Sequence, residues 1–291
     1  MVEILRSGSD DEFRRTFRMT RPAFKALAGR LRREGVFEAT GNRSQVNPRH
    51  QIAIALYRFG SSGNRGGLMA LRRFIVNTPD LRIIDYATGF AGARHDASCW
   101  PSTRIFRHHE RLLEVGDFVI GDSAYPLEKW LLAPYRAPEK SKARNGHYNN
   151  TLSRIRVCSE HAIGYLKQRF PSLTLLPLRI NSKNSFAIAN RYVEACIIAH
   201  RWAQENEHFG EEDDPWAPPL PEDNDPRRAS DSEYSDDAEE EVTGFVPPRS
   251  TQHIKAAKGW RVMMRDTLFA EEKEKTDQAK RRAVKKRRRE R

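Results

Sequence analysis

The sequence predicts an α/β protein, a sheet flanked by helices, and three observations carry that reading. Residues 69–77 and 81–90 are strand-like runs on either side of a Thr78-Pro79-Asp80 turn. Residues 117–121 (DFVIG) form a short apolar run bounded by turn residues, as expected of a buried central strand. A long stretch from about Thr151 repeats its apolar residues at helical spacing. Composition then divides the chain into a helical N-terminal segment (1–64), an α/β domain (65–209), an acidic linker (210–250) and a basic C-terminal tail (251–291). The sheet domain is expected to be incomplete, and the linker and tail disordered.

Taken in order, Thr20 and Pro22 make a cap and first turn for a helix carrying Phe24, Leu27, Ala28 and Leu31, which Gly35 stops. Asn47-Pro48 opens a second helix with Ile52, Ala55, Leu56 and Phe59 on one face, broken by residues 60–64. Arg30, Arg32, Arg33, Arg43 and Arg49 surround the pair. It reads either as part of a helix-turn-helix or as a helical cap with a solvated basic face. After the strand pair, His95-Asp96 leads into a helix through Ile105. Asp122 follows the 117–121 strand at its carboxyl end, where open α/β sheets build their sites. Residues 134–150 read as a loop rich in Pro and Lys. In the helix from Thr151, Ile155, Cys158, Ala162 and Leu166 form an apolar stripe widened by Ile163 and Phe170. Arg156, Glu160, Gly164 and Lys167 form the stripe beside it. A last helix, residues 185–205, is apolar at Ala189, Tyr192, Val193, Cys196, Ile197 and His200.

The 291 residues carry a net charge of +12, which favours a polyanion, most often nucleic acid, as partner. The charge is blocked out: residues 211–241 are strongly acidic and residues 255–291 strongly basic. No run of eighteen apolar residues offers a membrane span, and the first ten residues lack the apolar stretch of a secretory signal. Three widely spaced cysteines argue against a disulfide framework and for a reducing compartment. Residues 280–291 (KRRAVKKRRRER) read as a nuclear localisation signal or a tail for the DNA backbone. Cys158 and His161 form a lone C-x-x-H pair, too few ligands for zinc.

Phosphodiester cleavage by two metal ions needs carboxylates brought together from different elements, and Mg²⁺ favours oxygen ligands. Asp122 at a strand end and Glu160 on a later helix have the right type and order, 38 residues apart. Spacing alone favours the plainer arrangement, in which Asp122 caps a helix and Glu160 pairs with Arg156 or Lys167.

Three sequence words narrow the choice: GFAGARHD at 89–96, GDSAYP at 121–126 and YNNTLSRIRVCSEHAIGYLK at 148–167. Over residues 68–205 their order and wording resemble the Harbinger-type DDE transposases, a family whose nuclease domain has an RNase H-like fold. The resemblance implies an RNase H-like mixed sheet. It maps the family's GD-x-x-YP acid onto Asp122 and its R-x-x-x-E-x-x-x-G-x-LK acid onto Glu160, both as catalytic metal ligands for Mg²⁺ or Mn²⁺. His95-Asp96 matches the family's HD pair, and Arg154, Arg156 and Lys167 are expected to contact phosphates. DNA is the implied partner, with a DNA-binding partner protein or a second copy of the chain beside it, and the nucleus is the implied compartment. One departure matters: the family's first catalytic aspartate lies in a DG-T word on its first strand, and this chain has no such word. Asp85, mid-strand, and Asp96, more simply a helix N-cap, are the acids that could substitute. Two acids without the third are expected to bind metal poorly. The sequence therefore supports a metal-dependent DNA endonuclease derived from a transposase, or a non-catalytic DNA-binding or protein-interaction remnant of one.

Overall fold

The structure, a computed structural model, describes residues 1–38, 45–61, 71–91, 99–207, 214–217 and 250–289, with side chains left undescribed at 71–73, 276–277 and 279–289. Two compact units divide the chain: residues 1–94 with 158–220, and residues 95–157 with 221–291.

In the first unit, side-chain caps set where most of the helices begin. Ser9 caps α2 (Asp10–Phe17), its hydroxyl accepting from the Glu12 amide at 3.2 Å, and α1 (Val2–Ser7) precedes it. Thr20 caps α3 (Arg21–Arg33) and Asn47 caps α4 (Pro48–Gly60), as the sequence predicts; α1 and α2 are additions. The Phe13 ring lies tilted against Phe17 at 4.7 Å and edge-on to Phe24 at 5.4 Å. Phe59 packs on Phe170 at 5.7 Å. These rings share one core with Leu56, Ile83, Leu166, Val193 and Ile197, so the N-terminal helices and α7 (Lys183–Asn206) bury a common apolar face. A reciprocal Ser182/Ser185 capping box starts α7, close to the predicted 185.

The hairpin β1 (Leu71–Asn77) and β2 (Ile83–Ala91) is antiparallel, as expected. Leu81 closes its turn with a left-handed φ of +65°, a conformation that costs a leucine about 1 kcal/mol. Its side chain is buried against Ala162, Tyr165 and Trp216, which offsets the strain.

The first unit also buries a charge. Arg169, fully shielded from solvent, pairs with Glu207 at 2.7 Å and Asp214 at 3.0 Å and lies over the Trp216 ring at 4.6 Å. Burial opposes the guanidinium's charge, but Glu207, Tyr165 and Asp214 outweigh it and raise its pKa. Glu207 in turn accepts the Thr20 amide at 2.5 Å, which ties the clasp to the cap of α3. The expectation of unpacked chain from residue 210 therefore fails at residues 214–217, where Trp216 is only 6% exposed. The rest of the acidic stretch lies outside the described residues.

The second unit contains α5 (Arg104–Leu112), β3 (Val119–Ile120) and β4 (Leu131–Leu132). The two strands pair in parallel. β4 had no counterpart in the sequence reading. Parallel and antiparallel strands are thus both present, giving the mixed α/β architecture that was expected, but in two two-stranded sheets among the described residues. Trp100, Phe106, His109 and Trp130 cluster beside the strands, the His109 and Trp130 rings stacked at 4.3 Å.

One long helix, α6 (Ala143–Arg169), contributes residues up to Val157 to the second unit and from Cys158 to the first. It starts eight residues before the predicted Thr151, because Tyr148 and Leu152 bury themselves against Tyr135. Ile155, predicted to join its apolar stripe, is 40% exposed, while Ala162, Leu166 and Phe170 are buried as expected. The basic tail, expected to be disordered, is instead a helix, α8 (Thr251–Arg289), because Met264 and Leu268 pack against Tyr135, Tyr148 and Leu152.

Candidate functional site

Asp122 stands two residues beyond β3, which is tied to the next strand by hydrogen bonds from Val119 N–H to Trp130 O (2.8 Å) and from Gly121 N–H to Leu132 O (2.9 Å). A Cβ at Gly121 would crowd the Tyr125 ring at 3.1 Å and Leu131 at 3.2 Å, so any larger residue there would require those side chains to shift by a few tenths of an ångström. The chain then turns sharply. Tyr125 N–H donates to the Asp122 carbonyl at 3.0 Å, and Ser123 N–H donates to the Asp122 carboxylate. The word GDSAYP is therefore a tight turn whose glycine, aspartate and tyrosine each have a structural task.

The other carboxylate oxygen of Asp122 lies 3.7 Å from an Arg156 nitrogen, with side-chain exposures of 42% and 29%. A half-exposed pair at that distance contributes about 0–1 kcal/mol. Its effect on a ligand is larger: a guanidinium beside the carboxylate competes with and repels any approaching cation. The residue expected to touch phosphates, Arg156, thus faces the acid expected to hold metal.

Glu160 is exposed on the part of α6 that belongs to the first unit; Asp122 belongs to the second. Arg154 is exposed, whereas Arg156 and Lys167 are half-buried. Arg156, Glu160, Gly164 and Lys167 do follow one another at helical spacing along α6. Within the fold no described atom would touch a Cβ at Gly164, so packing does not explain that glycine.

Of the substitute acids, Asp85 is buried in β2, its carboxylate accepting the Tyr86 amide at 2.9 Å. His95 and Asp96 lie outside the described residues. Among the described residues no group of three or more His, Cys, Asp or Glu side chains is arranged to hold a metal ion. Oxygen donors suit Mg²⁺ or Mn²⁺ in kind. The described donor set nevertheless does not fit a two-metal centre, since one acid faces an arginine and a third is not beside it.

Sequence reasoning missed Arg136, whose guanidinium donates to the Ser123 carbonyl (2.7 Å from Nε) and pins the turn after Asp122. No spacing rule reveals a contact made between loop residues thirteen apart. Cys99, Cys158 and Cys196 form no disulfide. No described helix is long and apolar enough to cross a membrane.

Residues 65–201 match the family described as DDE superfamily endonuclease, a stretch that includes Asp122, Glu160, Arg154, Arg156 and Lys167. Over 108 residues the chain is 26% identical to Protein ALP1-like of Arabidopsis thaliana, a stretch that makes up 33% of this chain. It spans about a quarter, 26%, of that relative's length. No solved structure matches.

Proposed function

We propose that this chain, whose residues 65–201 match the DDE superfamily endonuclease family, derives from a Harbinger-type transposase, binds DNA in the nucleus, and cuts it very slowly or not at all. The observation that carries the reading is the setting of Asp122, held in a turn with its carboxylate 3.7 Å from Arg156. Two-metal cleavage requires carboxylates that bridge and flank closely spaced dications. The absent DG-T word removes one such acid, and the arginine neutralises another. Binding rests on the net charge of +12 and on the basic run at 280–291, which would also serve as the nuclear signal.

A second reading, an active endonuclease, is favoured by the retained strand-end position of Asp122 in its GDSAYP turn. On that reading Asp122 and Glu160 would ligate Mg²⁺ or Mn²⁺, and Arg154, Arg156 and Lys167 would hold phosphates. A DNA-binding partner protein or a second copy of the chain would complete the assembly. Incubating the purified chain with supercoiled plasmid and Mg²⁺ or Mn²⁺, beside Asp122→Ala, separates the two. The remnant reading expects equal, background nicking by both proteins. Robust nicking by the parent that disappears in Asp122→Ala would replace it with the endonuclease.

A further inference from the structure

The second unit contains a cleft of about 710 Å³ that the reading above leaves unused. One wall is the turn after Asp122, from Ser123 to Leu127, and another is the stretch from Ala133 to Glu139. Lys258 and Arg261 of α8 line it as well. Most of its lining is apolar: alanines, prolines, a leucine and the Tyr125 ring. Its charged members are Arg136, Lys258, Arg261 and one acid, Glu139. A second pocket of about 180 Å³ shares Lys258, Arg261 and Glu139 and adds Lys142 and Arg265.

We propose that this cleft binds an unpaired DNA segment of one or two nucleotides, an apolar floor taking a base and the cationic rim taking its phosphates. The inference rests on the DNA-binding reading and names where and in what form the DNA is held. Three observations argue for it.

The first is chemistry. Apolar and aromatic surface lined together with cations, as here, is the combination that single-stranded nucleic acid selects, because every base has a face to stack and every link carries a negative charge. A lone apolar ligand would not need the rim, and a bare anion would not need the floor.

The second is size. Clefts of roughly 300–1,000 Å³ enclose drug-sized molecules. A mononucleotide or dinucleotide is of that size, whereas a duplex is far too wide to enter.

The third is the way the cations are held. The Arg261 guanidinium lies 3.9 Å from the Tyr135 ring centroid and donates to the Pro134 carbonyl at 3.5 Å. Its Nε–H is buried with no acceptor among the described residues, a donor left unused at a site that otherwise fixes the side chain. Arg136 is fixed by the Ser123 carbonyl, so both arginines are preorganised, and Lys258 is exposed to provide mobile charge. α8 is itself held against this unit. Ala257 is fully buried, Met264 and Leu268 pack on Tyr135, Tyr148 and Leu152, and His253 pairs with Glu128.

The test uses the full chain, a fluorescently labelled dT₆ oligonucleotide and a labelled 20-base-pair duplex, with anisotropy as the readout. The variants are Lys258→Glu, the charge-keeping Lys258→Arg, and Arg287→Ala with Arg288→Ala and Arg289→Ala in the tail. Lys258 is exposed, so its replacement should leave folding intact, which circular dichroism verifies. The cleft predicts that Lys258→Glu weakens dT₆ at least about tenfold and duplex much less, while Lys258→Arg stays near the parent. The tail variant should weaken both substrates together. If Lys258→Glu binds dT₆ like the parent while the tail variant loses both, the cleft is wrong and the DNA-binding reading survives. If the parent binds neither substrate, the DNA-binding reading fails and takes the cleft with it.

Discussion

His200 is wholly buried on α7, with neither ring nitrogen hydrogen-bonded among the described residues and its ring edge-on to Tyr165 at 4.5 Å. Burial and the neighbouring Arg169 charge push its pKa well below the ordinary 6.5. Above about pH 6.5 the ring is neutral folded and unfolded alike, and pH has no leverage through it. Below 6.5 the unfolded chain takes up a proton that the folded chain refuses, so stability falls, by at most about 1.4 kcal/mol per pH unit. Thermal melting from pH 8 to pH 5 should therefore show a steeper decline for the parent than for His200→Leu, and identical slopes would refute the assignment. His200 was legible in the sequence as one more position on the apolar face of its helix. Arg169 was not, because an arginine in a helix reads as surface, and only the tertiary meeting with Glu207 and Asp214 makes burial tolerable. Asp122 and Glu160 were legible as words, but Arg156 facing Asp122 was not, since nothing in the sequence says which face a half-buried arginine turns to an acid 34 residues away.

At the scale of elements, starts were easier to read than partners. Thr20 and Asn47 announce α3 and α4 through side chains that satisfy free amides, a purely local effect. The opening of α6 was hidden because ARNGHYNN is rich in asparagine and glycine, which resist helix, and burial of Tyr148 overrides that preference. β4 was hidden because two residues are too few to show alternation. In α8, Ala257, Arg261, Met264 and Leu268 recur at spacings of four, three and four, one stripe of the helix, with arginine in a place where an apolar residue would be expected. The stripe predicts what detaches the element. Met264→Asp should raise hydrogen exchange across residues 251–270 and leave α3 and α4 as protected as before, since those helices belong to the other unit's core. Unchanged exchange in 251–270 would mean that the helix is not held by this stripe.

For the molecule as a whole, blocks of charge were plain in the sequence and packing was not. No local signal tells that residues 21–33 and 48–60 bury the same face as 183–206, because that registry is decided by shape across long loops. Nor did the run of acids after residue 210 suggest that Asp214 and Trp216 would dock. That docking has a bearing on how the chain leaves and regains its native state. Glu207 and Asp214 reach Arg169 across 38 and 45 residues of chain. Stripping water from three charged groups gives no return until both acids have arrived, so the transition state for folding gains little from the clasp. Interactions that form after the barrier govern how fast a protein comes apart, not how fast it assembles. In stopped-flow denaturant jumps, Asp214→Asn should leave the refolding limb where it is and lift the unfolding limb. A refolding rate slowed in proportion to the lost stability would instead make the clasp part of the nucleus. On the expected outcome, Arg169 acts as a timer: it sets how long the first unit stays closed once it has closed.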